Sequence, residues 1–235
     1  MEQNFPDLRA MAKSVAMSLD AVEVIRQPLY DYVVYPTAGV LFQQFFINPQ
    51  GAGLSASQGF AGNGKALSDT NMQIGGQLAS PQAFFCDGIE VDVQPGSVAT
   101  ANTFTPTITS AIVAANAAVN QAGAHDVNAV YTTGALTFNI GGKAYYTEGP
   151  LYQFPPRYSL TLDVGLASNS ATAVEVLKEK LNVDGETMKL DPGVGIGTSM
   201  NFNVAINWPA LVPTPSGFNA RLGVVLSGWL FRAVQ

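Results

Sequence analysis

The feature that most constrains the fold is the succession of short β-type segments that fills the chain after Pro28. Segments such as 30–35 and 40–47 are rich in Val, Ile, Tyr and Phe and are separated by Gly, Pro and Asn. Residues 202–208 alternate apolar and polar side chains, which is typical of a strand with one buried face. Because strands and helices do not alternate regularly, a parallel α/β sheet is disfavoured. We predict a mainly all-β chain, a jelly-roll β-sandwich, with a compact double jelly roll as the alternative.

Two helices are predicted beside the strands. Apolar residues at three- and four-residue spacing predict an amphipathic helix over 7–26, and Pro28 suits its end. An Ala-rich stretch over 108–121 predicts a helical insertion. We therefore divide the chain into an N-terminal helical arm, 1–27, and a β-sandwich domain with long insertions, 28–235.

Charged side chains are scarce and unevenly distributed. They make up 12% of the residues, with a formal net charge of −6, whereas soluble domains typically contain about 25%. Residues 93–125 contain no charged side chain, and residues 32–68 contain only Lys65. A dense basic face that reads nucleic acid is therefore disfavoured. Since burying an unpaired charge is costly, charge-poor segments suit surfaces that contact other subunits.

Residue types and motifs predict no cofactor or metal centre. With one cysteine, Cys86, and one histidine, His125, the chain has no Cys-based zinc site and no His-rich metal centre. Residues 59–66 have Walker A spacing, but Ala66 replaces the Mg²⁺-binding hydroxyl residue, so a Gly-rich surface loop is the better interpretation. Neither a signal-peptide pattern nor a membrane-spanning stretch of about 20 apolar residues is recognisable, which predicts synthesis in a cytoplasm.

Acidic residues form the one cluster with catalytic potential. Glu90 and Asp92 share a face of a predicted strand near Asp87, where solvated acids are the commoner explanation. A calcium site or a pair of catalytic carboxylates stays open as an alternative. His125 and Asp126 have no Ser nucleophile on a strained turn to act on. We predict that the chain is not an enzyme.

Two stiff connections combine proline with large aromatic rings, over 149–158 and 208–217. Proline presets the backbone, and Tyr and Phe are enriched in interfaces. Under a purely structural interpretation these connections turn a corner between sheets. Under a functional interpretation they form a preorganised contact surface. Together with the helix stripe they form the predicted assembly interface: Leu8, Met11, Val15, Leu19, Val22, Pro150, Tyr152, Phe154, Pro155, Pro156, Tyr158, Trp208 and Pro209.

The corner 149–158, the strand 201–209, and the segments 215–217 and 228–232 resemble the jelly-roll major capsid proteins of tailless icosahedral bacterial viruses, a group that includes lipid-containing phages. The N-terminal helix that leads into a β-domain is also similar. The resemblance implies a structural virion protein that self-assembles into capsomers, commonly trimers, around the genome and in some members around a membrane. Members with two stacked jelly rolls are usually longer than 235 residues, which favours one jelly roll.

The expected partners are therefore other copies of the chain, other virion proteins and, in a virion that contains one, an internal membrane. Direct genome binding is not expected, since Arg9, Lys13 and Arg26 are the only basic residues among the first 60. One alternative is another phage assembly component, such as a tail-tube protein. A glycan-binding β-sandwich is the other, with four rings as stacking platforms: Tyr145, Tyr146, Tyr152 and Trp208.

Overall fold

The chain folds mainly into antiparallel β-strands, so the predicted β class is confirmed. The computed structural model describes residues 7–56, 64–95, 125–157, 159–167, 174–182, 185 and 187–233. Two helices, α1 (Leu8–Ser14) and α2 (residues 125–133), accompany the strands. The strands are β1 (Val22–Arg26), β2 (Leu29–Tyr35), β3 (Phe42–Phe45), β4 (Ala83–Gln94), β5 (Ala135–Ile140), β6 (Lys143–Pro150), β7 (Ser159–Ala167), β8 (Val174–Asn182), β9 (Met188–Ile196), β10 (Phe202–Asn207) and β11 (Ala220–Ala233).

The first sheet is built around the long strand β11. On one side, β11 pairs with β1 near its carboxyl end and with β2 near its amino end. On the other side it pairs with β4, which in turn pairs with β9. β1 and β2 thus form one interrupted strand. Pro28 stands in the interruption, where its missing N–H costs the ladder nothing.

The second sheet has the order β3–β10–β5–β6, and β7 pairs with β8 in a separate hairpin. Phe202, Val204 and Ile206 are buried, while Asn203 is partly buried and Asn207 exposed, as the alternating pattern predicts. Ala205, on the same face as the two asparagines, is buried as well. Both sheets contribute to one hydrophobic core, in which Val204 of the second sheet belongs with Val91 of the first. This shared core is compatible with an all-β sandwich.

The helix predicted over 7–26 is correct in its first half and wrong in its second. Asp7 caps α1 by accepting hydrogen bonds from the backbone N–H groups of Arg9 and Ala10. The helix ends at Ser14, and Ala16 has a positive φ of 57°. Residues 22–26 are the strand β1 instead. Their valines and isoleucine favour strands, and β11 supplies hydrogen-bond partners that an isolated helix pattern cannot reveal.

The prediction for a helix over 108–121 lies outside the described residues. α2 was not predicted, and it packs on the core through Val127, Val130 and Tyr131. Within the described part of the chain, none of the helices has the length and apolar character needed to span a membrane. The division into 1–27 and 28–235 stays a prediction.

Candidate assembly surface

The apolar stripe of the N-terminal segment is used mainly inside the chain. Val15 is 2% exposed and packs with Ala12 against Ala83 and Phe231 of the first sheet. Around this cluster lie the partly buried Met11, Leu19 and Val22, whereas Leu8 is 37% exposed.

The proline–aromatic corner is docked on the edge of β4. Phe154 is fully buried, and its carbonyl accepts a hydrogen bond of 2.9 Å from the N–H of Val91, beyond the point where β9 stops pairing with β4. The hydroxyl of Tyr131 donates to the carbonyl of Val91, so both backbone groups of this residue are satisfied. Tyr152, by contrast, is 63% exposed. Beside it lie the exposed Pro155 and the partly buried Pro150 and Pro156, while Tyr158 lies outside the described residues.

Trp208 is a core residue of the second connection. It is 4% exposed, and its indole Nε1 donates a 3.2 Å hydrogen bond to the carbonyl of Val130. The ring meets the ring of Tyr35 edge to face at 5.4 Å. Trp208 therefore has no open face for stacking on a sugar, whereas the neighbouring Pro209 is exposed. Of the four proposed glycan platforms, the structure describes the exposure of Tyr152 and Trp208, and Tyr152 is the exposed one.

The prediction that Glu90 and Asp92 are solvated is wrong. They are 3% and 4% exposed. The two carboxylate oxygens of Glu90 accept hydrogen bonds of 2.9 to 3.2 Å from the backbone N–H and the guanidinium of Arg157. Asp92 accepts from the hydroxyl of Tyr32 at 3.2 Å and from the amide of Gln94 at 2.7 Å. A strand pattern shows that two acids share a face, but it cannot show that other segments cover that face.

A glycine makes the arrangement around Asp92 possible. Gly223 of β11 lies opposite Tyr32 on one side and opposite Asp92 on the other. A Cβ at this position would lie 2.2 Å from Cε1 of Tyr32. Because Gly223 has no side chain, the Tyr32 ring crosses β11 to reach Asp92. The guanidinium of Arg221 packs over the Tyr32 ring, 3.8 Å from the ring centre.

Asp87 is the remaining member of the acidic cluster. It pairs with Arg26 at 2.5 Å, with both side chains partly exposed. The three acids thus have separate partners. In the part of the chain that the structure describes, no three His, Cys, Asp or Glu side chains come together to hold a metal ion.

Lys65, in the segment with Walker A spacing, forms a buried ion pair. Its Nζ lies 2.6 Å from Oδ1 of Asp31, and the side chains are 2% and 0% exposed. The other carboxylate oxygen of Asp31 accepts 2.7 Å from the N–H of Phe46. Burial raises the pKa of Asp31, and the charge of Lys65 opposes that shift. Since the ammonium group is committed to Asp31, it is not presented to a phosphate; residues 59–63 lie outside the described residues.

Cys86 and Asp126 have structural surroundings. Cys86 is fully buried, and burial raises the pKa of its thiol to about 12, which makes it unreactive. The carboxylate of Asp126 accepts hydrogen bonds from the backbone N–H and the hydroxyl of Ser216. His125 is exposed, and Asp126 ties α2 to the second proline connection instead of orienting that histidine.

One exposed apolar surface was missed in the list of predicted contact residues. Leu41, Phe42 and Leu211 are 54%, 50% and 59% exposed, and we name them the β3 patch. Residues 39–42 and 207–212 run side by side: the N–H of Trp208 donates 2.9 Å to the carbonyl of Leu41, and Phe42 pairs with Asn207. Leu41 and Phe42 lie in the charge-poor segment 32–68 that the sequence indicates as a contact surface. Leu211 lies in residues 192–220, which also contain no charged side chain.

Comparison with protein-family models, with curated proteins and with solved structures found no match to this chain. Function is therefore inferred from the fold and the surfaces described above.

Proposed function

We propose that this chain is a structural coat protein that self-assembles into the closed icosahedral shell of a tailless bacterial virus. The observation that carries the proposal is the character of the exterior. Among the described residues, ten large hydrophobic side chains are exposed, while six charged ones are buried: Asp31, Lys65, Asp69, Glu90, Asp92 and Asp126. The chain has few charged side chains, and several of them are buried. Its surface is therefore poor in charge and contains exposed apolar side chains. Contiguous apolar patches mark protein–protein contacts, and three of the ten side chains lie in the β3 patch, on two segments that run side by side.

The order of the strands supports a single jelly roll with insertions. If β1 and β2 count as one interrupted strand, the sheets contain strands one, eight, three and six, and strands two, seven, four and five, of an eight-strand chain. All pairings are antiparallel. Two sheets with this crossed connectivity are the arrangement of a jelly roll, in which the hairpin β7–β8 is an insertion. A double jelly roll would need a second set of such strands.

Jelly rolls occur in viral capsids, in lectins and in cupins, so the fold alone does not choose among them. Cupins bind their metal with several histidines, and this chain has one. A lectin needs exposed rings; of the proposed platforms Tyr152 is exposed, whereas Trp208 is buried. The shell function needs extended neutral surface, which the chain has. The proposed partners are copies of the chain and other virion proteins, with the virion as its location, and catalysis is not part of the proposal.

Light scattering coupled to size-exclusion chromatography of the full chain, followed by electron microscopy of the largest species, tests the proposal. We expect capsomers that grow into closed shells as the protein concentration rises. A chain that stays monomeric at every concentration and salt level would overturn it. Open rings or tubes would overturn it in favour of a tail-tube protein. Sugar binding by a stable monomer would overturn it in favour of a lectin.

A further inference from the structure

The strands at the borders of the two sheets differ in how they are protected against pairing with another chain. Residues 69–71 cover the outer edge of β2: the N–H of Tyr32 donates 2.7 Å to the carbonyl of Asp69. β1, β6 and β9 each contain charged residues, and β6 and β9 also contain proline. Charge, proline, covering segments and short length are the usual ways to prevent edge pairing, and among the described residues β3 has only its short length of four residues. β3, with the sequence Phe42-Gln43-Gln44-Phe45, has no charge and no proline.

β3 also has an unused edge. Within the described residues it pairs with β10 alone. Apart from the β3–β10 ladder, the backbone of β3 accepts one hydrogen bond: the side-chain amide of Gln43 donates to the carbonyl of Gln44. Apart from that carbonyl, the peptide groups on the far side of β3 are therefore a template for one more strand. The β3 patch lies at the start of this edge and supplies apolar side chains beside the unpaired backbone.

The occupant that fits this edge is β3 of a second copy. Each copy has a net charge of −6, so two copies repel each other except where their facing surfaces lack acidic groups. Both sequence segments that contribute to the β3 patch lack charge: residues 32–56, which contain Leu41 and Phe42, and residues 192–220, which contain Leu211, have no charged side chain. An edge strand is self-complementary under a two-fold axis, because antiparallel pairing satisfies both copies with the same hydrogen bonds.

We propose that two copies of the chain join through antiparallel β3–β3 pairing, which is sealed by Leu41, Phe42 and Leu211 of each copy. The pairing joins the second sheet of one subunit to the second sheet of the other, so that they form one continuous sheet. This inference rests on the proposed shell function, and it identifies the strand by which neighbouring subunits make contact.

Cysteine cross-linking tests the pairing directly. In an antiparallel pair related by a two-fold axis, a residue near the axis lies opposite the same residue, or a neighbouring one, of the other copy. The Cα separation is then about 4.5–5.5 Å, within disulfide range. The variants are Phe42→Cys, Gln43→Cys and Gln44→Cys; the native Cys86 is fully buried and does not interfere. We expect at least one of them to give a covalent dimer on mild oxidation while assembly continues. Leu67→Cys is the matched control, because its side chain is 64% exposed and its carbonyl accepts a hydrogen bond from the hydroxyl of Tyr30 in the first sheet. If no β3 variant cross-links in assembled protein, or if Leu67→Cys cross-links equally, the proposal is overturned.

A charge variant gives an independent readout. Phe42→Glu puts two like charges across the two-fold axis and should raise the dissociation constant of the dimer about 100-fold. Leu67→Glu adds the same charge elsewhere and should leave it unchanged. Because both side chains are at least half exposed, we expect both variants to fold, and circular dichroism checks this. If wild-type shells form and Phe42→Glu assembles like Leu67→Glu, the β3 contact is wrong and the shell function stands. If the wild type never assembles, both proposals fail.

Discussion

The pair Lys65–Asp31 shows how single charged residues come to be buried in this chain. Taking a carboxylate out of water is unfavourable, and Lys65 compensates for only part of that cost, so the pKa of Asp31 is raised. Because the pKa in the folded chain lies above its unfolded value, the contribution of Asp31 to stability is lost as the pH rises through the raised pKa. What the pair provides is position: it fixes residue 65 beside β2 and the end of β3.

A double-mutant cycle measures this pair. Asp31→Asn leaves a buried, unpaired ammonium group, so it should lower the free energy of unfolding by about 3–5 kcal/mol. Lys65→Met leaves the opposite charge unpaired and should cost a similar amount. The double variant should be much less destabilised than the sum of the two. Urea denaturation of the four proteins gives the values, and additive effects would show that the two side chains do not depend on each other.

Single residues also mark the limit of reasoning from the sequence. The burial of Cys86 agrees with its place beside Phe85 in a strand-like run, where cysteine is commonly a buried residue. That Glu90 and Asp92 are buried does not follow, because their partners Arg157 and Tyr32 lie 67 and 60 residues away in the chain.

Among the elements, the proline–aromatic corner depends most on its docking to β4. Phe154 fills the core, and Arg157 pairs with Glu90, whose side chain is 4% exposed. The corner thus takes over the edge of β4 where β9 stops. The prolines identified a stiff connection in advance, but the strand edge that it covers is a tertiary feature.

Two matched arginine variants test the docking. Arg157→Met removes the guanidinium from a buried carboxylate and should lower the free energy of unfolding by about 2 kcal/mol or more. Arg232→Met is the control, because its partner Glu23 is 52% exposed; exposed pairs contribute about 0–1 kcal/mol. Chemical denaturation compares the two. Equal losses would mean that the Glu90 pair behaves as a surface ion pair.

On the scale of the whole molecule, the scarcity of charge has two parts. Few charged residues are present, and six of those that the structure describes are buried. The remaining surface therefore combines an acidic net charge with neutral, apolar areas such as the β3 patch. Under the proposed self-assembly, copies of such a molecule repel each other at long range through their net charge, and apolar contacts hold them at short range.

The salt dependence of assembly follows from this combination. Raising NaCl from about 0.02 to 0.5 M screens the repulsion between copies and leaves apolar contacts intact, so association should strengthen. Sedimentation velocity at several salt concentrations measures the effect. Association that weakens with salt would indicate an interface held by opposite charges, contrary to the neutral contacts proposed here.

The sequence by itself determined the β class, the start of α1 and the small number of charges, because these depend on local pattern and on composition. Only the tertiary structure decided that residues 22–26 are a strand, that the acids of β4 are buried, and that Leu41, Phe42 and Leu211 are exposed together. The physical reason is that burial and strand pairing depend on which distant segments meet. β11 pairs with β1, β2 and β4 across most of the chain, and no window of neighbouring residues contains that information.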